Sequence, residues 1–292
     1  MDETQQQRQA TLRLIAGASV LSFAPVFVAL IPTSPTTSAF YRTLLAGIIL
    51  SVIVFVRRHR FSCPPRTLLF LVAGGAAFAA DLASWHRSIH YVGPGLATLL
   101  GNLQVFALAG FGILVLREPA RWELLVSVPV AVIGLAMIVG LDWSALEPQY
   151  RAGLAFGLLT ACFYAVYILC LRQARKSDPD GTAIRDLALI SLISALFLLP
   201  IAMVEGVSLQ VSTWQDGMLL LAYALVSQVI GWSIISGALP RVPASLVGLI
   251  LLLQPLLTFV WDVAFFARPM TVREAIGGVL VLLALYLGSR PR

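Results

Sequence analysis

Along this chain of 292 residues the apolar positions do not alternate with polar ones. They come in runs of about twenty, separated by short polar clusters. A helix of about 20 apolar residues crosses the hydrocarbon core of a bilayer, so the pattern predicts an all-α membrane protein. Ten spans are expected, at 12–31, 36–56, 67–88, 91–115, 120–140, 151–171, 184–204, 214–236, 242–266 and 271–288. The connections are short. The longest, RQARKSDPDGTAIR, is polar and carries a DPDG turn. No soluble domain is expected at either end.

Composition agrees with this pattern. The chain is 59% hydrophobic and 12% charged, with a mean hydropathy of +0.90, whereas soluble domains carry about 25% charged residues. The charges also set an orientation. With the N-terminus in the cytoplasm, fifteen of the twenty basic residues fall on the inner side, four (Arg87, Arg151, Arg268, Arg273) on the outer, and Arg42 lies within a span. By the positive-inside rule both termini are cytoplasmic and the chain is a multi-pass protein of the cell (inner) membrane. The net charge of +6 follows from that asymmetry. With no basic stripe interleaved with aromatics, no nucleic-acid partner is expected. Cys63, Cys162 and Cys170 make no spaced framework and read as free thiols. Arg8 and Arg13 precede an apolar stretch long enough to span, with no cleavage site after it, so the first segment is expected to stay in the mature protein.

The chain also resembles itself. Shifted by 150 residues, LATLLGNLQVF (96–106) falls on LVGLILLLQPL (246–256), setting Gln104 on Gln254, and Pro119 falls on Pro269. A shift of 140 sets Gly17 on Gly157 and Phe23 on Phe163. Five spans is an odd number, so the second half enters the membrane from the opposite side. Two inverted five-helix repeats, 1–145 and 146–292, are expected around a central cavity, with the substrate site near the midplane. Gln104 and Gln254 would then lie at similar depth, facing that cavity. Pro255 cannot give an amide to the Leu251 carbonyl, and a freed carbonyl is tolerated at membrane depth where it meets protein or water. The competing reading makes Gln254 a hydrogen-bonding contact between helices and Pro255 a structural kink.

Three stretches carry a family resemblance. FYRTLLAG (40–47) resembles the second-span signature of the EamA-type drug/metabolite transporters. LLLQPLLTFVWDVAFFARPMTVREAIGGVLVLLALYLG (251–288) resembles their ninth and tenth spans, and LREPARWELLVSVPVAVIGL (116–135) is the same pattern in the first half. Glu118 precedes the turn in the first copy, and Arg268 replaces it in the second. The resemblance covers nearly the whole chain and, within the family, is greatest to the YddG-type aromatic amino acid exporters. It implies a transporter of small metabolites, with the first, third, fourth, sixth, eighth and ninth spans around the cavity.

Polar residues within the spans are the candidate site. Asp81 is the deepest acid, and Arg42 lies about as deep from the same side. Either they pair with each other, with Arg42 structural, or Asp81 faces water and meets a substrate ammonium. Asp81, Trp85 and Ser88 share a helical face. Asn102 and Gln104 flank the middle of the fourth span, Tyr164 and Tyr167 face alike in the sixth, and Ser227, Gln228 and Trp232 sit in the eighth. Aromatic walls with a few amides suit an amphipathic or aromatic solute. Trp85 alone could equally be an interfacial anchor. His86 and His90 have metal-ligand spacing, but nothing completes a ligand set and the pair reads as surface, so no metal and no cofactor are expected.

Together with these residues, the resemblance implies an exporter of small metabolites, amino acids with aromatic and other apolar side chains first. Little besides Asp81 could titrate along the path, so alternating access with little or no ion coupling is expected. A proton-coupled multidrug or other metabolite exporter is the alternative. An intramembrane enzyme is remote, because no reactive cluster lies at depth. The partners are then a small-molecule substrate and the lipid bilayer, and a bundle with its own internal symmetry can work as a monomer.

Overall fold

The computed structural model describes residues 3–92, 94–119, 122–139, 148–266 and 271–289, and every regular element among them is helical. The first predicted span is α1 (Glu3–Leu21) followed by α2 (Ala24–Leu30). The second is α3 (Pro35–Val56) and the third α4 (Pro65–Val92). The fourth is divided into α5 (Pro94–Asn102) and α6 (Gln104–Leu114), and the fifth is α7 (Trp122–Val139). Then come α8 (Pro148–Ser177), α9 (Ala183–Glu205) and α10 (Trp214–Tyr223), a π-helical segment (Ala224–Gly231), and α11 (Trp232–Ala238). The chain ends in α12 (Ala244–Leu251), α13 (Leu253–Phe266) and α14 (Val272–Ser289).

Seven stretches among the described residues are long and apolar enough to cross a membrane, and shorter apolar helices cover Leu100–Leu114 and Leu125–Gly134. Of the fourth predicted span, Leu100–Leu114 is the part so covered. Pro269, which the repeat sets on Pro119, and the boundary between 145 and 146 lie outside the described residues.

The breaks have identifiable causes. Pro25 ends α1, whose last turn tightens as Phe23 N–H bonds the Val20 carbonyl at 3.3 Å. Pro255 cannot continue the ladder onto Leu251, and α12 ends there, with Leu252 N–H turning to the Leu249 carbonyl at 3.1 Å. The break between α5 and α6 has the same form without a proline: Leu103 N–H bonds the Leu100 carbonyl at 3.0 Å. α9 stops at Gly206, whose φ of 63° is the left-handed conformation that favours glycine.

Packing pairs α4 with α8, α3 with α9, α7 with α14 and α6 with α12, while α1 lies along the π-helical segment and α11. Backbones approach closely where small residues permit. A Cβ on Gly134 would stand 2.6 Å from the Gly277 carbonyl oxygen. Ser194 Oγ donates to the Gly75 carbonyl at 3.0 Å, tying α9 to α4. Outside the bundle, Phe55, Leu114, Ile133, Leu196 and Val204 are exposed. An apolar exterior of this kind suits lipid.

The two ends of the bundle are defined by side-chain contacts. At one, Arg185 Nη1 donates to the Ser62 carbonyl at 3.1 Å, joining the α8–α9 turn to the α3–α4 turn. At the other, Glu205 accepts from Thr36 Oγ1 at 2.5 Å and pairs with Arg87, and Tyr41 donates to the Leu209 carbonyl at 2.8 Å.

Candidate functional site

A cavity of about 70 Å³ lies among α1–α5, α8, α11 and α13. One water needs about 10–15 Å³ of such space, so the cavity has room for several waters or a small solute. It lies toward the Glu205 end. Arg42 is seven residues into α3 and Asp81 eleven residues before the end of α4, which at about 1.5 Å per residue sets them about 10 and 16 Å in from that end.

Arg42 and Asp81 both line this cavity and are both buried, but no ion pair joins them. The pairing weighed from their matching depth is therefore not formed. Arg42 instead donates from Nη1 to the Tyr223 hydroxyl at 2.8 Å. Its guanidinium lies 5.0 Å from the Tyr223 ring centroid and 5.4 Å from that of Phe78. Those contacts hold the group by cation–π attraction of about 0.5–2 kcal/mol each without cancelling its charge. Asp81 has no hydrogen bond or ion pair among the described residues.

Aromatic rings form the wall. Trp85, Tyr164 and Trp232 line the cavity, and Tyr164 meets Trp232 edge-on at 6.0 Å. Behind them Tyr167 stacks on Phe78 at 4.3 Å and meets Trp232 at 4.6 Å. Tyr167 supports the lining rings and is not itself part of the lining. Gln254 is at the wall, half-buried, with Nε2 donating to the Tyr164 hydroxyl at 3.2 Å. Proline places it there, because the break at Leu252 starts a new helix one residue before the glutamine. Asn102 also lines the cavity, its Nδ2 turned to the Thr98 carbonyl at 2.8 Å.

The other sequence candidates lie elsewhere. Gln104 does not share the cavity with Gln254. It is fully buried and neither amide atom finds a partner among the described residues. The break lies at Leu103, immediately before Gln104, but at Leu252, two positions before Gln254, so the two glutamines stand differently in their helices. Ser227 and Gln228 are buried in the π-helical segment, with Gln228 Nε2 donating to Ser191 Oγ at 3.2 Å. Ser88 donates to the Gly153 carbonyl at 2.9 Å and packs α4 on α8. His86 corrects the surface reading: it is buried, while His90 is exposed, and no group of three metal-binding side chains forms among the described residues. Sequence reasoning missed Thr98, Thr160 and Thr258 at the wall. Threonine is commonplace in membrane helices and carries no signal of its own.

Polar contacts join the helices at the opposite end of the bundle. The Glu118 carboxylate sits at the N-terminus of α12. Its Oε1 accepts from Ala244 N–H at 2.8 Å, and Oε2 from Ser245 N–H at 3.2 Å and Ser245 Oγ at 2.9 Å. Arg172 lies 3.5 Å from the same carboxylate and donates to the Leu239 and Val242 carbonyls at 3.3 and 3.1 Å. A carboxylate at a helix start satisfies free N–H groups and complements the helix dipole. Glu118 thereby ties the segment after α6 to α12 and α8.

A helical bundle with an apolar exterior, broken helices and a charged internal cavity defines a membrane transporter. The chain belongs to the EamA-like transporter family, which matches residues 10–140 and again 151–290. Among its relatives, the inner membrane transporter YhbE of Escherichia coli (strain K12) is 26% identical over 266 residues, covering 86% of this chain and 80% of that protein. The threonine/homoserine exporter RhtA of Salmonella typhimurium (strain LT2) is 29% identical over 280 residues, covering 94% and 89%. A crystal structure 14% identical in sequence shares the fold, with a TM-score of 0.81 over 96% of this chain and 97% of that one.

Proposed function

We propose that this chain is an inner-membrane exporter of small neutral amino acids that works by alternating access. Ten membrane spans form two inverted five-helix repeats, 1–145 and 146–292, with both termini in the cytoplasm. The double family match supports the repeat. So does the packing, in which α3 with α9 and α7 with α14 pair the second span with the seventh and the fifth with the tenth. The breaks at Leu103 and Leu252 fall within one residue of positions related by the shift of 150. In the orientation set by the basic residues, the cavity faces outward and the Glu118 contacts close the cytoplasmic side.

The observation that carries the substrate reading is the cavity itself, small, walled by aromatic rings, and lined by one guanidinium and one carboxyl group that do not pair. The similarity to a threonine/homoserine exporter supports small amino acids. A second reading, aromatic amino acids as in the YddG-type exporters, is favoured by the rings of Trp85, Tyr164 and Trp232. Among the described residues Asp81 is the one acid lining the cavity, which supports transport with little or no ion coupling. The test is efflux of threonine and phenylalanine, side by side, from proteoliposomes and from empty vesicles. Faster threonine release through the protein supports the first reading, and faster phenylalanine release the second. Release of neither refutes amino acid export, and accumulation that requires an imposed proton gradient refutes weak coupling.

A further inference from the structure

We infer that Asp81 and Arg42 form a clamp for a zwitterion, Asp81 taking the ammonium and Arg42 the carboxylate of one α-amino acid. The inference rests on reading the cavity as the transport site. Both groups line that cavity and are about 95% buried, at 6% and 4% exposure. A lone charge at membrane depth costs about 2.5–3.5 kcal/mol on insertion scales, and two opposite charges in one cavity ordinarily lower that cost by pairing. Here they do not pair. Arg42 is held back by the Tyr223 hydroxyl and by the faces of Tyr223 and Phe78, all neutral partners. Asp81 is left with no hydrogen bond among the described residues.

Two fixed, opposite, buried charges facing one space are complementary to a solute that carries both. An amine without a carboxylate leaves Arg42 unmatched. A carboxylate without an amine leaves Asp81 unmatched. Either mismatch places the solute beside a buried charge that nothing neutralises, which is the costly case. Among the described residues the wall supplies no third charge: Thr98, Asn102, Gln254 and Thr258 are neutral. The cavity therefore selects neutral amino acids as zwitterions and tolerates variation in the side chain.

The experiment is competition in counterflow. Proteoliposomes carry whichever of threonine and phenylalanine the wild type moves. Its N-acetyl derivative, which lacks the ammonium, and its amino-alcohol, which lacks the carboxylate, are offered as competitors. Loss of a charge-assisted contact corresponds to a roughly ten- to hundred-fold weaker competitor, and that is the expected result for both in the wild type. Asp81→Asn should abolish the preference over the N-acetyl derivative and leave that over the amino-alcohol, with partial recovery in Asp81→Glu. Arg42→Gln should do the reverse. Equal competition by all three compounds in the wild type overturns the clamp without any variant having to fold. Unchanged selectivity in well-expressed variants overturns it too, while leaving amino acid export standing. A wild type that moves neither amino acid removes export and clamp together.

Discussion

Glu118 caps a helix that begins 126 residues further along the chain. Its carboxylate accepts from the Ala244 and Ser245 amides at 2.8 and 3.2 Å. The cap is one of the polar contacts at the end of the bundle away from the cavity, beside that of Arg185 with the Ser62 carbonyl. Removing a capping side chain costs about 0.5–2 kcal/mol, and here it also strips Arg172 of its carboxylate partner. Glu118→Ala should therefore lower Tm in detergent by several degrees, and Glu118→Gln by less, since the amide keeps one acceptor. An unchanged Tm in Glu118→Ala would show that the cap contributes nothing.

Tyr223 does two things for Arg42: its hydroxyl accepts from Nη1, and its ring faces the guanidinium. Tyr223→Phe deletes the first and keeps the second, at an expected cost of about 1.5–3 kcal/mol for a hydrogen bond to a charged group. Tyr223→Ala should cost more, because it also opens a buried cavity. Equal losses of Tm in the two variants would contradict the division.

The two glutamines should behave differently. Gln254 borders the cavity, so Gln254→Ala should slow efflux with protein levels unchanged. Gln104 is buried with neither amide atom partnered among the described residues. An apolar residue of similar size removes that burden, so Gln104→Leu should hold or raise Tm and leave efflux intact. Impaired efflux in a well-expressed Gln104→Leu would return this residue to the transport path.

Gly134→Ala tests a close approach of one helix to the backbone of another. The added Cβ meets a backbone oxygen, which cannot rotate away, at 2.6 Å. Overpacking of this kind costs about 1–3 kcal/mol, seen as a lower Tm. Gly110, which has nothing within 4 Å of an added Cβ, is the control, and Gly110→Ala should hold or raise Tm, since alanine favours a helix interior over glycine.

Much of this architecture is legible in the apolar runs, because a membrane helix must satisfy its own backbone and so reveals its length. The break before Gln254 is legible too, through Pro255. The equivalent break at Leu103 is not, since no proline marks it and Gly101, two residues before it, is one of many glycines within the apolar runs. Arg42 and Asp81 stand out as charges at depth. Their separation does not, because the partner that holds Arg42 back, Tyr223, is 181 residues away. Glu118 is visible as part of a motif, but its role depends on Ala244 and Ser245, ordinary residues in any sequence. His86 looks like surface from its neighbours Trp85, Arg87 and His90, and is buried because α4 turns that face toward the bundle.

The most direct measurement is substrate protection inside the cavity. Thr98 lines it, so Thr98→Cys, in a background with Cys63, Cys162 and Cys170 replaced, offers a single thiol to a small water-soluble thiol reagent. Threonine in the bath should slow labelling of this thiol in a concentration-dependent way, and labelling should block efflux. Labelling that proceeds at the same rate with and without amino acid, in protein that still transports, would show that the solute passes elsewhere.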